Sequence, residues 1–173
     1  NLVGLVTQRS LLGALPSNVS SFSHFEISYV LAKIKVSHVM VKEVTTIDED
    51  TPIEVAARIM ADQKIGCMPV MRDGELVGII TDNDLFATMV DLLGARRGGV
   101  RVTVLQPDRP GEIARLSTAI AKIGGNLTVS VGSPSQEPGM WISVLKVTNV
   151  PRAELAQMIE ALGDIQILDV RET

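Results

Sequence analysis

Apolar positions along this chain follow two different periods, one typical of strands and one typical of helices. Residues 76–80 form a short apolar run around a single glycine, which predicts a strand that is covered on both faces. Thr81, Asp82 and Asn83 come next, and each is a suitable N-cap for a helix. Apolar residues then recur at helical spacing, at Leu85, Met89 and Leu92. The pattern therefore predicts a junction between a buried strand and a helix.

This junction has side chains suited to a nucleotide. A helix start offers unpaired N–H groups and a partial positive charge, which favour a phosphate. The carboxylate of Asp84, one turn into the helix, can accept hydrogen bonds from two ribose hydroxyls, and Thr81 can add a hydroxyl. We therefore consider Thr81, Asp82 and Asp84 to be candidate nucleotide-binding residues. The alternative is that Thr81 and Asp84 form a capping box and bind no ligand.

A second copy of the junction lies at the start of the chain. Residues 2–12 align with residues 76–86 without a gap, and the Leu, Val, Gly, Thr and Leu positions coincide. Thr7 and Ser10 thereby occupy the threonine and aspartate positions of the later junction. An internal repeat of this kind predicts two related domains. Because the chain opens inside the first copy, we expect the front of that domain to be missing from these residues.

The sequence around the later junction resembles the CBS (cystathionine-β-synthase) domain. Residues 76–85 fit the family pattern of a glycine, two apolar residues and Thr-x-x-Asp-Leu. Three further segments resemble the family's opening Val-x-x-Val-Met, its first strand and its Pro-Val strand entry, at residues 36–40, 44–47 and 64–70. The resemblance implies a complete second CBS domain at 36–94, a remnant of the first at 1–15 and a Ser-rich linker at 16–35.

CBS domains work in pairs, and the resemblance implies an adenosine-type ligand between them: AMP, ADP, ATP or S-adenosylmethionine. The family pattern has an aspartate where the first copy has Ser10. One hydroxyl cannot accept hydrogen bonds from two ribose hydroxyls as a carboxylate can. We therefore expect the site built on Thr81 and Asp84 to be the stronger one. The weaker site, at Thr7 and Ser10, is expected to have as its walls Val44, Thr45, Cys67, Met68 and Pro69.

Other signals predict the ordinary elements of this region. Thr51 is a predicted N-cap, with Pro52 at the first helical position and Glu54 completing a capping box. The dipeptide Asp73-Gly74 predicts a two-residue hairpin turn, and Gly94 predicts the end of the helix after the junction. One helical face is predicted to pack in the core, through Ile53, Ala56, Ala57 and Met60.

The composition changes at residues 95–99, where two arginines and two glycines predict a boundary. Beyond it, strand and helix patterns follow in the order βαββαβ. The predicted strands are 100–105, 126–131, 140–147 and 166–170. The predicted helices are 113–123, with Ile113, Leu116, Ile120 and Ile123 facing the core, and 151–162. This order implies a ferredoxin-like α+β sandwich with both helices on one face of the sheet.

Residues 100–173 resemble the ACT domain, through a loop with Asp108, Pro110 and Gly111 and a second strand that begins with Asn126-Leu127. The resemblance implies that these residues bind an amino acid. The Pro-Gly turn is tight, and the N–H groups of the following helix suit a carboxylate. Asp108 and the Asn126 amide can meet an ammonium or a polar side chain. In the alternative, Asp108 caps the helix, Asn126 takes a left-handed turn, and the domain only mediates dimerisation.

A CBS pair followed by one ACT domain resembles the acetoin-utilisation regulatory (AcuB-like) proteins of bacteria. This resemblance implies a cytoplasmic, non-catalytic ligand sensor that forms a homodimer. The residue chemistry agrees, since His24, His38 and Cys67 form no recognisable catalytic or zinc-binding pattern. Two alternatives are a structural oligomerisation module without a ligand and a regulatory fragment of a larger enzyme or transporter.

Charge and composition narrow the expected partners. The net charge is -4, and no basic run is longer than Arg96-Arg97, which argues against nucleic acid as the main partner. No apolar run reaches the length needed to cross a membrane. The single cysteine excludes an internal disulfide and fits a reducing compartment. We therefore expect small-molecule ligands and a second copy of the chain as partners, with no membrane, metal or resident cofactor.

Overall fold

A computed structural model of the chain describes residues 1–13, 29 and 32–173. The chain divides into two compact units, Asn1–Leu85 and Phe86–Thr173. The division falls inside the helix that follows the Thr81 junction, whereas the domain boundary at 95–99 remains a prediction from sequence. The predicted Ser-rich linker, residues 16–35, lies largely outside the described residues, and so does His24.

The first unit contains a three-stranded sheet with helices beside it. Its elements are α1 (Gln8–Gly13), α2 (Val36–Val39), β1 (Ile47–Asp48), α3 (Ile53–Gln63), β2 (Cys67–Arg72) and β3 (Glu75–Thr81). The strands lie in the order β1-β2-β3. β1 runs parallel to β2, and β3 runs antiparallel to β2. Helix α4 (Asp82–Leu92) follows β3 directly.

The core of the first unit confirms most of the predicted face of α3. Ala56 and Met60 on this helix are buried, and they pack with Ile47 of β1 and Met68 of β2. Ile53 and Ala57 are half-buried. The predicted cap is wrong, because α3 begins at Ile53 with Pro52 as its N-cap and no side-chain capping bond.

Two turns in this region were predicted correctly. Asp73 and Gly74 have φ angles of 50° and 82°, which is the arrangement of positive angles that a type I′ hairpin turn requires. Gly94 has a φ of 60° and ends α4. Its N–H donates to Asp91 O at 3.1 Å, while Ala95 N–H donates to Val90 O at 2.9 Å, as in a Schellman motif.

Strand β3 departs from its prediction. The apolar run at 76–80 predicts a strand covered on both faces, but Leu76, Val77 and Ile79 are 54%, 46% and 54% exposed. β3 pairs with β2 and is the last strand of its sheet. The prediction of a fully buried strand is therefore wrong for the part of the chain that the structure describes.

The second unit confirms the predicted ferredoxin-like order. Its elements are β4 (Val100–Pro107), α5 (Glu112–Lys122), β5 (Asn126–Pro134), β6 (Met140–Thr148), α6 (Arg152–Glu160) and β7 (Gln166–Glu172). The four strands are antiparallel to their neighbours in the order β5-β6-β4-β7. Alternating residues of β4 and β6 pack against both helices, so the helices share one face of the sheet.

The core of this unit is built from aliphatic side chains of both helices and the central strands. Leu116 and Ile120 of α5 are fully buried, as predicted, whereas Ile113 is 43% exposed. Ile113 lies at the first turn of α5, beyond the end of the aliphatic core. The buried cluster includes Val100, Val102, Val104, Leu145, Val147, Leu155 and Ile159.

The other face of this sheet carries a buried lysine. Lys146 pairs with Arg101 in the sheet register and is only 5% exposed. Its Nζ donates a hydrogen bond to the carbonyl oxygen of Gly94 at 2.7 Å. The lysine therefore fixes the residue that ends helix α4.

Candidate functional site

At the Thr81 junction, hydrogen bonds join the end of a strand to the start of a helix. The Thr81 N–H and Oγ1 both donate to Asp84 Oδ2, at 2.8 and 2.7 Å. The Asp84 N–H donates back to Thr81 Oγ1 at 3.3 Å. This is the geometry of a capping box, so that alternative is confirmed as a description of the local structure. Whether the junction can also bind a ligand depends on the exposure and charge of its side chains.

Asp84 is exposed to solvent, and its hydrogen bonds favour the ionised form. The hydrogen bonds from the Thr81 hydroxyl and backbone hold the pKa of the Asp84 carboxyl below its ordinary value. Asp82, also exposed, accepts a hydrogen bond from Asn83 N–H at 2.8 Å. The junction therefore presents an ionised, oriented carboxylate at the start of α4, with a second carboxylate two residues before it.

The first copy reproduces this geometry without the carboxylate. Thr7 N–H donates to Ser10 Oγ at 2.9 Å, and Ser10 N–H donates to Thr7 Oγ1 at 3.2 Å. The Ser10 hydroxyl also donates to Thr7 O at 2.9 Å, which uses its only proton. The Thr7 junction is thus a capping box whose acceptor is a hydroxyl instead of a carboxylate.

The residues predicted as walls of the Thr7 and Ser10 site differ in how deeply they are buried. Met68 is fully buried in the core between β1 and α3, so its side chain is not available as a wall. Pro69 is buried but lines an open apolar groove. Val44, Thr45 and Cys67 are half-buried, and the Thr45 hydroxyl donates to Gln63 Oε1 at 2.7 Å.

That groove has a volume of about 460 Å³ and runs beside β3. It is lined by Leu2, Gly4, Leu5, Pro69, Leu76, Val77, Gly78 and Ile79. The first copy contributes one wall and β3 the other, and the isolated bridge between Leu5 and Val41 holds the first copy in place. The lining stops at Ile79, so neither Thr81 nor Asp84 belongs to the groove.

A second pocket, of about 370 Å³, lies at the loop between β4 and α5 in the other unit. Asp108 and Gly111 line it, as the sequence led us to expect. Gly111 has a φ of 96° and is the N-cap of α5 without any side-chain capping bond, so the idea that Asp108 caps this helix is wrong. Pro110 is exposed beside the pocket without lining it.

Asn126 and Leu127 lie far from this pocket within one chain. Leu127 pairs with Val147, which pairs with Val100 at the start of β4, whereas the Asp108 loop follows the end of β4. The two ends of β4 are about 23 Å apart at ~3.3 Å per residue. Leu127 packs on the aliphatic core, and Asn126 begins β5 without the left-handed φ considered from sequence. The predicted amino-acid site is therefore not assembled by a single chain.

The structure adds a charge network that the sequence did not reveal. Glu112 is buried and bonds to Arg109 at 2.5 Å and Arg115 at 2.7 Å. Asp164 bonds to the same two arginines, at 2.7 and 2.5 Å. These bonds hold the pKa of Asp164 below its ordinary value. Because Asp164 is 55 residues from Arg109, no local pattern could indicate the contact.

Family models match both units of the chain. A CBS domain model matches residues 36–91, and a model of the TTHA0829-like ACT domain matches residues 98–171. The chain contains a CBS domain followed by a TTHA0829-like ACT domain. The resemblances to both families are thereby confirmed, and both kinds of domain are regulatory modules.

Two curated relatives share part of the chain. Inosine-5'-monophosphate dehydrogenase of Thermoplasma acidophilum is 47% identical over 47 residues, which are 27% of this chain and 10% of that enzyme. A CBS domain-containing protein of Dictyostelium discoideum is 31% identical over 94 residues, which are 54% of this chain and 65% of that protein. The chain thus spans at most 65% of the length of these relatives.

Solved structures with CBS domains are similar over about half of the chain. An acetoin utilization protein (AcuB) of Vibrio cholerae is 34% identical, with a TM-score of 0.41. The similar region is 55% of this chain and 63% of the Vibrio cholerae chain. The CBS domain pair of protein MJ0100, in complex with 5'-methylthioadenosine and S-adenosyl-L-methionine, is 26% identical and covers 56% of this chain and 64% of its own, with a TM-score of 0.42.

Across residues 1–13, 29 and 32–173, no group of three or more His, Cys, Asp and Glu residues is placed to hold a metal ion. Among the same residues, no helix is long and apolar enough to cross a membrane.

Proposed function

We propose that the CBS domain is a ligand sensor that binds an adenine nucleotide or adenosyl compound, with Asp84 holding the ribose. The observation that carries this proposal is the exposed, ionised Asp84 carboxylate, oriented by Thr81 at the start of α4. A carboxylate accepts hydrogen bonds from two neighbouring hydroxyls, which is the pattern that a ribose presents. The chemistry of the junction and the implication of the CBS family agree on this class of ligand.

The charges at the junction also rank the ligands. Asp82 and Asp84 are both carboxylates, and the N–H groups of Asn83 and Asp84 already donate to side chains of the junction. Those N–H groups are therefore committed to capping, and two negative charges oppose a polyphosphate. We expect S-adenosylmethionine, with its cationic sulfonium, and AMP to bind more tightly than ATP. The site at Thr7 and Ser10 is proposed as the weaker one.

Calorimetric titration of the full chain with AMP, ADP, ATP and S-adenosylmethionine tests this function. The variant Asp84→Asn keeps the side-chain shape and removes the charge. We expect its affinity for the best ligand to fall by about tenfold or more, as when a charged hydrogen-bond partner is lost. Asp91→Asn is the matched control, since Asp91 is an exposed acid on the same helix. Equal affinities in the wild type and Asp84→Asn would contradict the proposal.

A second ligand, an amino acid, is proposed for the ACT domain. The supporting observation is the pocket lined by Asp108 and by the start of α5, where Gly111 has no side-chain capping bond. The Asp108 carboxylate suits the ammonium of an amino acid, and the N–H groups at a helix start suit its carboxylate. Titration with the common amino acids tests the site, and Asp108→Asn should weaken binding. If none of the common amino acids binds, the result would favour a scaffold without a ligand.

We further propose that the protein is a cytoplasmic, non-catalytic homodimer. Size-exclusion chromatography with light scattering tests the dimer, and a monomer at micromolar concentration would contradict it. The alternative, a regulatory part of a larger enzyme or transporter, is favoured by one observation. The matched relative from Thermoplasma acidophilum is an enzyme of which this chain covers 10%.

A further inference from the structure

The pocket at the Asp108 loop has an unusual floor. Gln106, the second-last residue of β4, is 2% exposed and lines the pocket. Its Nε2 donates to the Ser143 hydroxyl at 3.2 Å. Its Oε1 is buried and has no hydrogen-bond partner among the described residues. A buried amide oxygen without a partner costs free energy, so one at a pocket floor indicates a ligand group that completes it.

The orientation of a side-chain amide is assigned from its hydrogen bonds. The Ser143 hydroxyl is compatible with both orientations of the Gln106 amide. A hydroxyl accepts from Nε2 in one orientation and donates to Oε1 in the other. In the orientation that the structure has, Oε1 is the half of the Gln106 amide without a partner among the described residues. A primary amide on the ligand satisfies either half, because it carries both a donor and an acceptor.

The charges around the floor argue for a neutral ligand side chain. Glu112 is the buried acid of this pocket, and Arg109 and Arg115 already bond to it. The same two arginines bond to Asp164, so two cations are matched by two anions. This closed network has no spare charge for an acidic or basic ligand group at the floor. Burying an unpaired charge there would be costly.

We propose that the pocket at the Asp108 loop selects amino acids with a primary amide side chain, glutamine or asparagine, and that Gln106 determines this specificity. The inference rests on the proposed amino-acid site and adds the class of side chain. The ammonium of the ligand lies at Asp108, its carboxylate lies at the start of α5, where Gly111 has no side-chain capping bond, and its amide reaches Gln106. Trp141, which also lines the pocket, pairs with Gln106 in the sheet register.

The test compares near-isosteric ligands and variants. Calorimetry on the full chain measures affinities for glutamine, methionine and glutamate, first with the wild type and then with Gln106→Met. Glutamine should bind the wild type about tenfold or more tightly than methionine, since methionine leaves the Gln106 amide unpaired. The substitution Gln106→Met should abolish this preference, and the variant protein should still bind methionine. The wild-type ligand series gives an answer even if the variant does not fold.

The outcomes separate the two proposals. Binding of glutamine and methionine with equal affinity by the wild type would overturn the specificity and leave the amino-acid site standing. A glutamine preference that survives in folded Gln106→Met would overturn the role of Gln106. Failure of every amino acid to bind would overturn the amino-acid site itself, and the specificity with it.

Discussion

The junctions at Thr7 and Thr81 use the same backbone atoms in the same hydrogen bonds, but only the Thr81 junction has a carboxylate as the acceptor. The threonine N–H donates to the fourth residue of each motif at 2.9 Å in the first copy and 2.8 Å in the second. The returning bond to the threonine hydroxyl is 3.2 Å in one and 3.3 Å in the other. The Ser10 hydroxyl donates its proton to the Thr7 carbonyl oxygen, whereas the Asp84 carboxylate is an ionised acceptor.

Capping and the proposed ligand binding make different demands on the repeated motif. Capping needs only an acceptor within reach of the threonine N–H, and both serine and aspartate supply one. Binding a pair of ligand hydroxyls needs additional acceptor capacity and charge, which only the aspartate has. Substitutions in and around the two copies should therefore have effects of different size and kind.

The first prediction concerns Met68, which the sequence assigned to the wall of the Thr7 site. Because Met68 is fully buried, Met68→Ala should lower the free energy of unfolding by about 2–5 kcal/mol. Urea denaturation followed by circular dichroism measures the change. Cys67→Ala, next to it and only half-buried, is the control and should cost far less. A cost for Met68→Ala as small as that of Cys67→Ala would mean that Met68 is not part of the core.

The second prediction makes the later junction a copy of the earlier one. Asp84→Ser should preserve the capping box and lower the affinity for the adenosyl ligand by about 1.5–3 kcal/mol, as for a lost charged hydrogen bond. Ser10→Ala should leave that affinity unchanged. Calorimetry measures both. An equal loss in the two variants would show that the junctions contribute equally and that the charge does not distinguish them.

The third prediction uses the glycine that both copies share. A Cβ on Gly4 would lie 2.9 Å from Val41 O and 2.7 Å from Met40 Sδ, whereas a Cβ on Gly78 would find only Val70 Cβ at 3.9 Å. Gly4→Ala should therefore destabilise the protein by about 1–3 kcal/mol. Gly78→Ala should change stability by less than about 0.5 kcal/mol. Urea midpoints measure both, and a tolerated Gly4→Ala would refute the close approach.

The fourth and smallest effect is a difference in pH dependence. The folded pKa of Asp84 lies below its ordinary value, so its ionised form contributes stability above the unfolded pKa. That contribution is lost as the pH falls through the folded pKa, in the acid range below about 4. Stability should thus fall more between pH 5 and pH 3 in the wild type than in Asp84→Ser. Ser10→Ala, which removes no titrating group, should follow the wild-type profile.

Local signals in the sequence predicted local structure well. Asp73-Gly74 predicted its turn because two adjacent positive φ angles need residues that tolerate them. Gly94 predicted the end of α4 for the same reason. The apolar run at 76–80 predicted a strand correctly but not its burial. Apolarity shows that a strand has a surface to cover, whereas the neighbour that covers it is a property of the whole assembly.

The candidate sites show the same limit. Thr81 and Asp84 are three residues apart, so sequence spacing alone predicted that they meet, and the structure joins them. Asp108 and Asn126 are brought to opposite ends of the sheet, because strand order decides which loops are neighbours. The Arg109–Asp164 bond and the Gln106–Ser143 pair depend on the same long-range register. No periodicity in the sequence encodes them.

The buried Lys146 gives the protein an internal chemical reporter. Its amine is enclosed and donates to the Gly94 carbonyl, whereas Lys42, Lys64 and Lys122 are exposed. An acylating reagent therefore reaches the exposed amines first and reaches Lys146 only after the end of α4 lifts from the sheet. The rate at which Lys146 is acylated thus measures how often that helix end detaches. A ligand that tightens or loosens α4 would change this rate.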